Sequence, residues 1–311
     1  MGQIALLTLK NVASLLIYMA IGYILRRSGK LPKQAAPVLS TLTTTVFLPA
    51  YTARSLSQSF TVEKIGGNLG LFGLGCLFIL LSIVIGLVLA KLLGRTDFEK
   101  KTLRYTFTFP NFGYFGYPVI AGVFGPEMLA NTIIFCIPVS IACHTYGYLL
   151  FSREKKLTLK KVLTTPSVIA IIIGCGLGLS GLQLPKLLDD LLIGAGNCMS
   201  PISMLLGGFV LGSFPLRKLL SSIRGYWLSA IRLLGIPLLF GIPLMLCGAS
   251  GVYLMLPLMV FALPLGMNIV VFPESFGMDA SDNARVCFVS YLLAIAVLPL
   301  TFGLIFHLAG F

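Results

Sequence analysis

Residues 109–118 read Phe109-Pro110-Asn111-Phe112-Gly113-Tyr114-Phe115-Gly116-Tyr117-Pro118, with Phe124-Gly125 shortly after. Residues 263–268 read Leu263-Pro264-Leu265-Gly266-Met267-Asn268, followed by Phe272-Pro273 and Phe276-Gly277. Each stretch sets two prolines eight or nine residues apart, with Asn and Gly between them, inside an apolar segment. A proline removes one backbone donor and clashes with the preceding turn, so each stretch predicts a helix broken near its middle. Lipid cannot satisfy the freed backbone groups, so such breaks belong where they line a cavity. The half-helix N-termini beside them offer unpaired N–H groups and partial positive charge, which suits a carboxylate.

The rest of the chain supplies the membrane setting. Of its 311 residues 57% are hydrophobic and 11% charged, against about 25% charged in an ordinary globular domain. The mean hydropathy is +0.97. A soluble enzyme, a nucleic-acid reader and a disulfide scaffold are excluded on these grounds. The seven cysteines all lie in apolar runs without a C-x-x-C spacing, so no metal site and no cofactor is expected. Hydropathy marks ten spans, near 4–25, 35–56, 67–91, 103–124, 131–152, 164–182, 191–214, 226–248, 252–274 and 286–309. The chain is thus expected to be an all-α polytopic membrane protein with short loops.

Charge placement orients the spans. Of 23 basic residues, 18 fall in the loops after spans one, three, five, seven and nine, including Arg26, Arg27, Lys100, Lys101, Arg153 and Lys161. Basic loops stay cytoplasmic, so both termini are expected outside. The net charge of +13 is then a topology signal and implies no nucleic-acid partner. The first span carries its basic cluster after the apolar stretch, so it is expected to be retained as a helix and not cleaved as a signal peptide.

The basic loop 153–161 divides the spans five and five. Five is odd, so the second half enters the membrane inverted. This predicts a first repeat at 1–152, a cytoplasmic linker at 153–163 and a second repeat at 164–311. Inverted repeats with discontinuous helices are a plan of secondary transporters. Spans two and seven also look paired, through Thr41-Leu42-Thr43-Thr44-Thr45 with Pro49 and through Ser200-Pro201-Ile202-Ser203 with Gly207-Gly208. Small residues allow close helix contact, which reads as scaffold.

With these segments in place the sequence resembles the auxin efflux carrier family, which contains the plant PIN carriers and bacterial malate-permease-like proteins. The resemblance spans essentially the whole chain. It rests on Tyr18-x-x-Ile21-Gly22-Tyr23, Phe47-Leu48-Pro49, Pro110-Asn111-x-Gly113-x-x-Gly116-x-Pro118, Pro201-x-x-Met204-x-x-x-Gly208 and the Pro264-Asn268-Pro273 pattern. It implies a bile-acid symporter or sodium/proton antiporter-like architecture. Spans 1, 2, 6 and 7 would be the scaffold, and spans 3–5 and 8–10 a moving bundle crossed at spans 4 and 9. It also implies elevator-type movement, a homodimer and a place in the cell membrane. The long cytoplasmic loop of many plant carriers is replaced here by a short linker.

Ionisable residues inside a membrane are functional candidates. All ten carboxylates fall in loops or at span ends, which argues against a cation/proton antiporter with a midplane acid. Asp189-Asp190 is expected to be solvated in an outside loop. Arg54 and Arg232 are expected to reach towards water near the span ends. His144, in Cys143-His144-Thr145-Tyr146, either bonds a substrate carboxylate or shuttles a proton, or is a satisfied interior histidine. The binding candidates are Asn111 and Asn268 with Pro110, Gly113, Gly116, Pro264, Pro273, His144 and Tyr146. No catalytic residue is assigned, because the chain lacks the nucleophile, metal cluster or acidic motif of an intramembrane enzyme. The expected activity is carriage of a small organic anion; malate, another dicarboxylate and an indole-type acid all fit. A sodium-coupled symporter of the bile-acid type and a channel are the alternatives, and the coupling ion is left open between proton, sodium and none.

Overall fold

The computed structural model describes residues 2–152 and 163–310. The linker expected at 153–163, with Arg153, Lys155, Lys156, Lys160 and Lys161, therefore lies outside the described residues apart from Leu163.

Among the described residues the chain is helical, and its one strand-like feature is an antiparallel bridge between Pro110 and Leu265. Helix α1 (Gly2–Arg27) leads to α2 (Ala35–Leu42), which runs through a π turn (Thr43–Phe47) into α3 (Leu48–Ser59). Then come α4 (Ile65–Leu93) and α5 (Asp97–Thr108). A π turn (Phe112–Gly116) opens α6 (Tyr117–Ala142), and another (Cys143–Gly147) follows it. The second half holds α7 (Pro166–Ser180), α8 (Lys186–Leu211) and the short α9 (Leu216–Leu220). Helix α10 (Ile223–Ala230) passes through a π turn (Ile231–Gly235) into α11 (Ile236–Leu246). The chain ends with α12 (Gly251–Phe261), α13 (Asn268–Ser275) and α14 (Ser281–Leu308).

Local chemistry sets several of these boundaries. At the start of α5 the Thr96 hydroxyl accepts from the Glu99 N–H at 3.2 Å, and the Glu99 carboxylate accepts from the Arg95 N–H at 2.7 Å. This capping satisfies donors that the first helical turn leaves unpaired. Within α6, Gly125 has φ 82° and ψ −179°, so the helix changes direction there. Only glycine takes that conformation without a Cβ penalty, and Pro126 then suits the first turn of the next helical stretch.

Among the described residues six helical stretches are long and apolar enough to cross a membrane: Gly2–Arg27, Val62–Leu93, Phe112–Gly147, Lys186–Leu211, Ile223–Leu246 and Ser281–Leu308. The protein is therefore a polytopic membrane protein. The sequence leads one to expect ten spans, and the difference has physical causes. The expected spans 103–124 and 252–274 are interrupted at their prolines, and 164–182 is a helix of only 15 residues. Gly125 bends what would otherwise be two spans inside one helical stretch.

Packing relies on small residues. A side chain on Gly208 would collide with the Met19 carbonyl, and one on Gly22 with the Leu205 carbonyl, so α1 and α8 touch backbone to backbone. Gly174 and Gly178 of α7 lie in the same way against α3, and Gly75 of α4 against Phe135 of α6. Without water to drive association, such close approach is how membrane helices gain contact. The faces turned outward are apolar, with Leu77, Leu80, Val84 and Val88 exposed on α4 and Ile169, Ile172 and Ile173 on α7. Continuous apolar surface of this kind suits a lipid environment.

Two expectations for charged residues are corrected. Arg232 does not reach water: it is 0% exposed. The π turn around it directs the guanidinium inward, where backbone carbonyls hold it. Asp189 and Asp190 do not lie in a loop but in the opening turns of α8, where Asp190 is exposed and the partly exposed Asp189 pairs with Arg54 of α3 at 2.8 Å. Arg54 therefore bridges two helices, and neither residue is free to act as an isolated charge.

Candidate functional site

The two proline-bearing interruptions come together. After α5 ends at Thr108, Phe109 is extended and Asn111 is neither helical nor extended, with φ −81° and ψ 63°. After α12 ends at Phe261, the chain runs non-helically until Asn268. The Asn111 N–H donates to the Pro264 carbonyl at 2.9 Å across the bridge between Pro110 and Leu265. Both prolines lack an N–H, so the meeting point has fewer backbone donors than an ordinary ladder. Side chains make up part of the deficit, as Ser290 of α14 does by accepting from the Leu265 N–H at 3.1 Å. Gly116 lets the segments approach, since a side chain there would strike Leu263.

A cavity of about 40 Å³ opens beside this meeting point. Of the expected residues, Pro110, Asn111, Gly113, His144 and Asn268 line it, together with Leu48 of α3. Gly116, Pro264, Pro273 and Tyr146 are not in the lining. Pro264 contributes its carbonyl to the bridge, and Pro273 lies inside α13 without interrupting it. The Tyr146 hydroxyl is buried without a hydrogen-bond partner, and its ring sits 6.3 Å from that of Phe109. This volume has room for a few waters, and an organic acid would require it to widen.

Both asparagines stand where a second half-helix begins. Asn111 directly precedes the turn at Phe112, and Asn268 is the first residue of α13. They are not equivalent across the bridge, because Pro110 faces Leu265 while Asn268 lies three residues further on. The Asn111 amide donates to the Tyr291 hydroxyl of α14. The Asn268 amide lies 3.8 Å from the Cys143 sulfur, which also contacts the Tyr105 hydroxyl at 3.0 Å. His144 bonds through Nδ1 to the Ser140 carbonyl at 2.8 Å. A carbonyl only accepts, so Nδ1 carries the proton and Nε2 is left as an acceptor.

Beneath the meeting point lies Arg232. Its Nη1 donates to the Phe107 carbonyl at 3.1 Å and its Nε to the Leu263 carbonyl at 3.4 Å. Its guanidinium carbon is 5.7 Å from the centre of the Phe261 ring. Tyr291, Cys143, Tyr105 and Ser290 are site residues that sequence reasoning missed. Each is a buried residue within a helix or π turn, and no spacing in the sequence ties it to the prolines.

Larger cavities lie to either side. One of about 380 Å³ is lined by Arg54, Gln58, Lys64, Asn131 and Asn197. Another, of about 420 Å³, is lined by Arg26, Lys33, Ser40, Thr41, Ser213 and Val271. Among the described residues no group of three or more His, Cys, Asp or Glu is placed to hold a metal ion.

Comparison with known proteins agrees with this picture. The sequence profile of a family described as membrane transport protein matches residues 7–162 and 153–302. An uncharacterized transporter of Methanothermobacter thermautotrophicus is 25% identical over 297 residues, covering 94% of this chain and 96% of the relative. An uncharacterized transporter of Methanocaldococcus jannaschii is 28% identical over 183 residues, covering 56% of this chain and 58% of the relative.

Proposed function

The chain belongs to the membrane transport protein family, the group of auxin efflux carriers, and on that premise we propose that it is a secondary carrier for a small organic anion. One substrate carboxylate binds between the two interruptions, against the backbone N–H groups that begin the helices at Phe112 and Asn268. Asn111 and Asn268 orient it, and His144 stands beside it with Nε2 available. The observation that carries this reading is the convergence of both asparagines on one cavity from opposite halves of the chain.

The same reading takes the helices as ten crossings in a five-plus-five inverted repeat, with both termini outside a cell membrane. Its support is the change of direction at Gly125, the two interrupted helices and the basic loops. Helices α1, α2–α3, α7 and α8 form the scaffold, consistent with the close packing of α1 on α8 and of α3 on α7. Helices α4–α6 and α10–α14 form the moving bundle that carries the site. The flanking cavities serve as vestibules, and the narrow one between them fits an occluded carrier. Movement is of the elevator type, and the working unit is a homodimer.

The test is uptake of labelled organic acids, indole-3-acetate and malate among them, into liposomes containing the purified protein. Saturable uptake with counterflow is the expected result. Flux that rises linearly with concentration and shows no counterflow would make the protein a channel.

A further inference from the structure

Where the interruptions meet, α5 and α12 end while the helices at Phe112 and Asn268 begin. A helix end carries about half an elementary charge, negative at the C-terminus and positive at the N-terminus. The two C-terminal ends together therefore present about one negative charge, and the two N-terminal ends about one positive charge.

Arg232 engages only the first pair. Its two bonded carbonyls, Phe107 and Leu263, belong to the ends of α5 and α12, at 3.1 and 3.4 Å. It is the only charged residue among the buried residues described, and no carboxylate pairs with it there. Its Nη2 has no hydrogen-bond partner. A planar guanidinium reaches two carbonyls at once from a fixed fork, which a lysine ammonium does less well. One guanidinium thus cancels the two C-terminal ends. No carboxylate faces the two N-terminal ends in the lining of the cavity that Asn111 and Asn268 share, although the Ile269 and Val270 N–H groups already donate to the Gly266 and Met267 carbonyls.

We propose that Arg232 sets the charge of this site, so that it accepts ligands bearing one negative charge and rejects those bearing two. The inference rests on the organic-anion reading above and narrows it to monocarboxylates. A bound monoanion brings the region close to neutrality. A dianion of similar size leaves one buried negative charge without a partner, which a low-dielectric interior penalises.

The test uses purified full-length protein at pH 7.5 with acids matched in size: butyrate against succinate, and benzoate against phthalate. Thermal stabilisation measured against concentration gives the affinities. Wild type is expected to bind at least one monocarboxylate at least about tenfold more tightly than its dicarboxylate counterpart. R232M that remains folded should lose about tenfold or more of that affinity, and R232K should restore most of it. A second readout needs no organic acid: nitrate, a small monoanion, should raise the melting temperature of wild type and R232K with concentration and lose that effect in folded R232M.

Equal or tighter dicarboxylate binding by wild type, or undiminished nitrate stabilisation in folded R232M, overturns the proposal. If no organic acid of either kind binds while nitrate stabilises wild type and not R232M, the charge balance stands and the organic-anion reading fails instead. If R232M does not fold, the wild-type comparison of matched acids decides.

Discussion

Asn111 fills the gap between α5 and the turn that follows, and its amide is engaged by Tyr291 before any ligand arrives. Asn268 is held more loosely, with only the 3.8 Å approach to Cys143. A carboxylate that bonds either amide has to compete with these neighbours. Replacing Asn111 or Asn268 with Leu should remove a hydrogen bond to a charged group, worth about 1.5–3 kcal/mol. Ligand affinity should fall about ten- to hundredfold on protein that remains folded and inserted; wild-type binding in both variants would remove the anion site from this cavity. His144 offers a second check at this scale. With Nδ1 committed to Ser140, only Nε2 is available to gain a proton. If it does so during transport, His144→Gln should erase a step in the pH profile of uptake between about pH 5 and 8. An unchanged profile would leave His144 a packed interior residue. Asn111, Asn268 and His144 were legible in the sequence because polar residues are rare in such segments. Arg232 was visible too, but its direction was not, because snorkelling and burial look alike until the neighbouring carbonyls are placed.

The helices show how much depends on close approach. Gly22 and Gly208 bring α1 against α8, and Gly116 brings the two interruptions together. Gly208→Leu should force those helices apart, costing about 1–3 kcal/mol by overpacking, measured as a lower melting temperature in detergent. Gly116→Val should strike Leu263 and cost ligand binding more than stability, since it disturbs the meeting point of the two interruptions and not the α1–α8 contact. By contrast, the Thr44 hydroxyl donates to Ser40 and Thr41 within its own helix. Thr44→Val should leave binding near wild type, and a loss as large as that of the Asn variants would move the site towards α2. Among the described residues four π turns occur, and they carry or adjoin Thr43–Thr45, Asn111, His144 and Arg232. Each inserts an extra residue into a turn and re-aims its side chains. Hydrophobic periodicity over a span cannot reveal a shift of one residue, so these turns were not legible in advance.

Orientation is a question for the molecule as a whole. On the proposed ten-crossing topology 18 of the 23 basic residues fall on one side, and the positive-inside rule then predicts Ser28 inside and Ser250 outside. Single cysteines at these positions should label with an impermeant reagent only from the exterior for Ser250→Cys, and only after permeabilisation for Ser28→Cys. The reverse pattern would invert the proposed topology and exchange the sides to which the two larger cavities are assigned. Their linings already differ: Arg54 beside Asp189 borders one, while Arg26 and Lys33 border the other.

Composition and pattern alone determined that this chain lives in a membrane, because no soluble surface can be made from 11% charged residues. They also located both interruptions, because there proline withdraws a backbone donor beside Asn and Gly, whereas lone prolines such as Pro201 and Pro299 are carried within helices. What they could not determine is which side chains meet there. Tyr291 reaches Asn111 from 180 positions away, and Arg232 reaches Phe107 from 125. Only packing chooses among apolar helices of nearly equal hydropathy, since lipid solvates all of them alike and small residues alone decide which backbones come close. The tertiary structure therefore decided the cavity, the partners of both asparagines and the burial of the arginine. The arginine in particular is held by carbonyls, which every residue possesses and no sequence motif can mark.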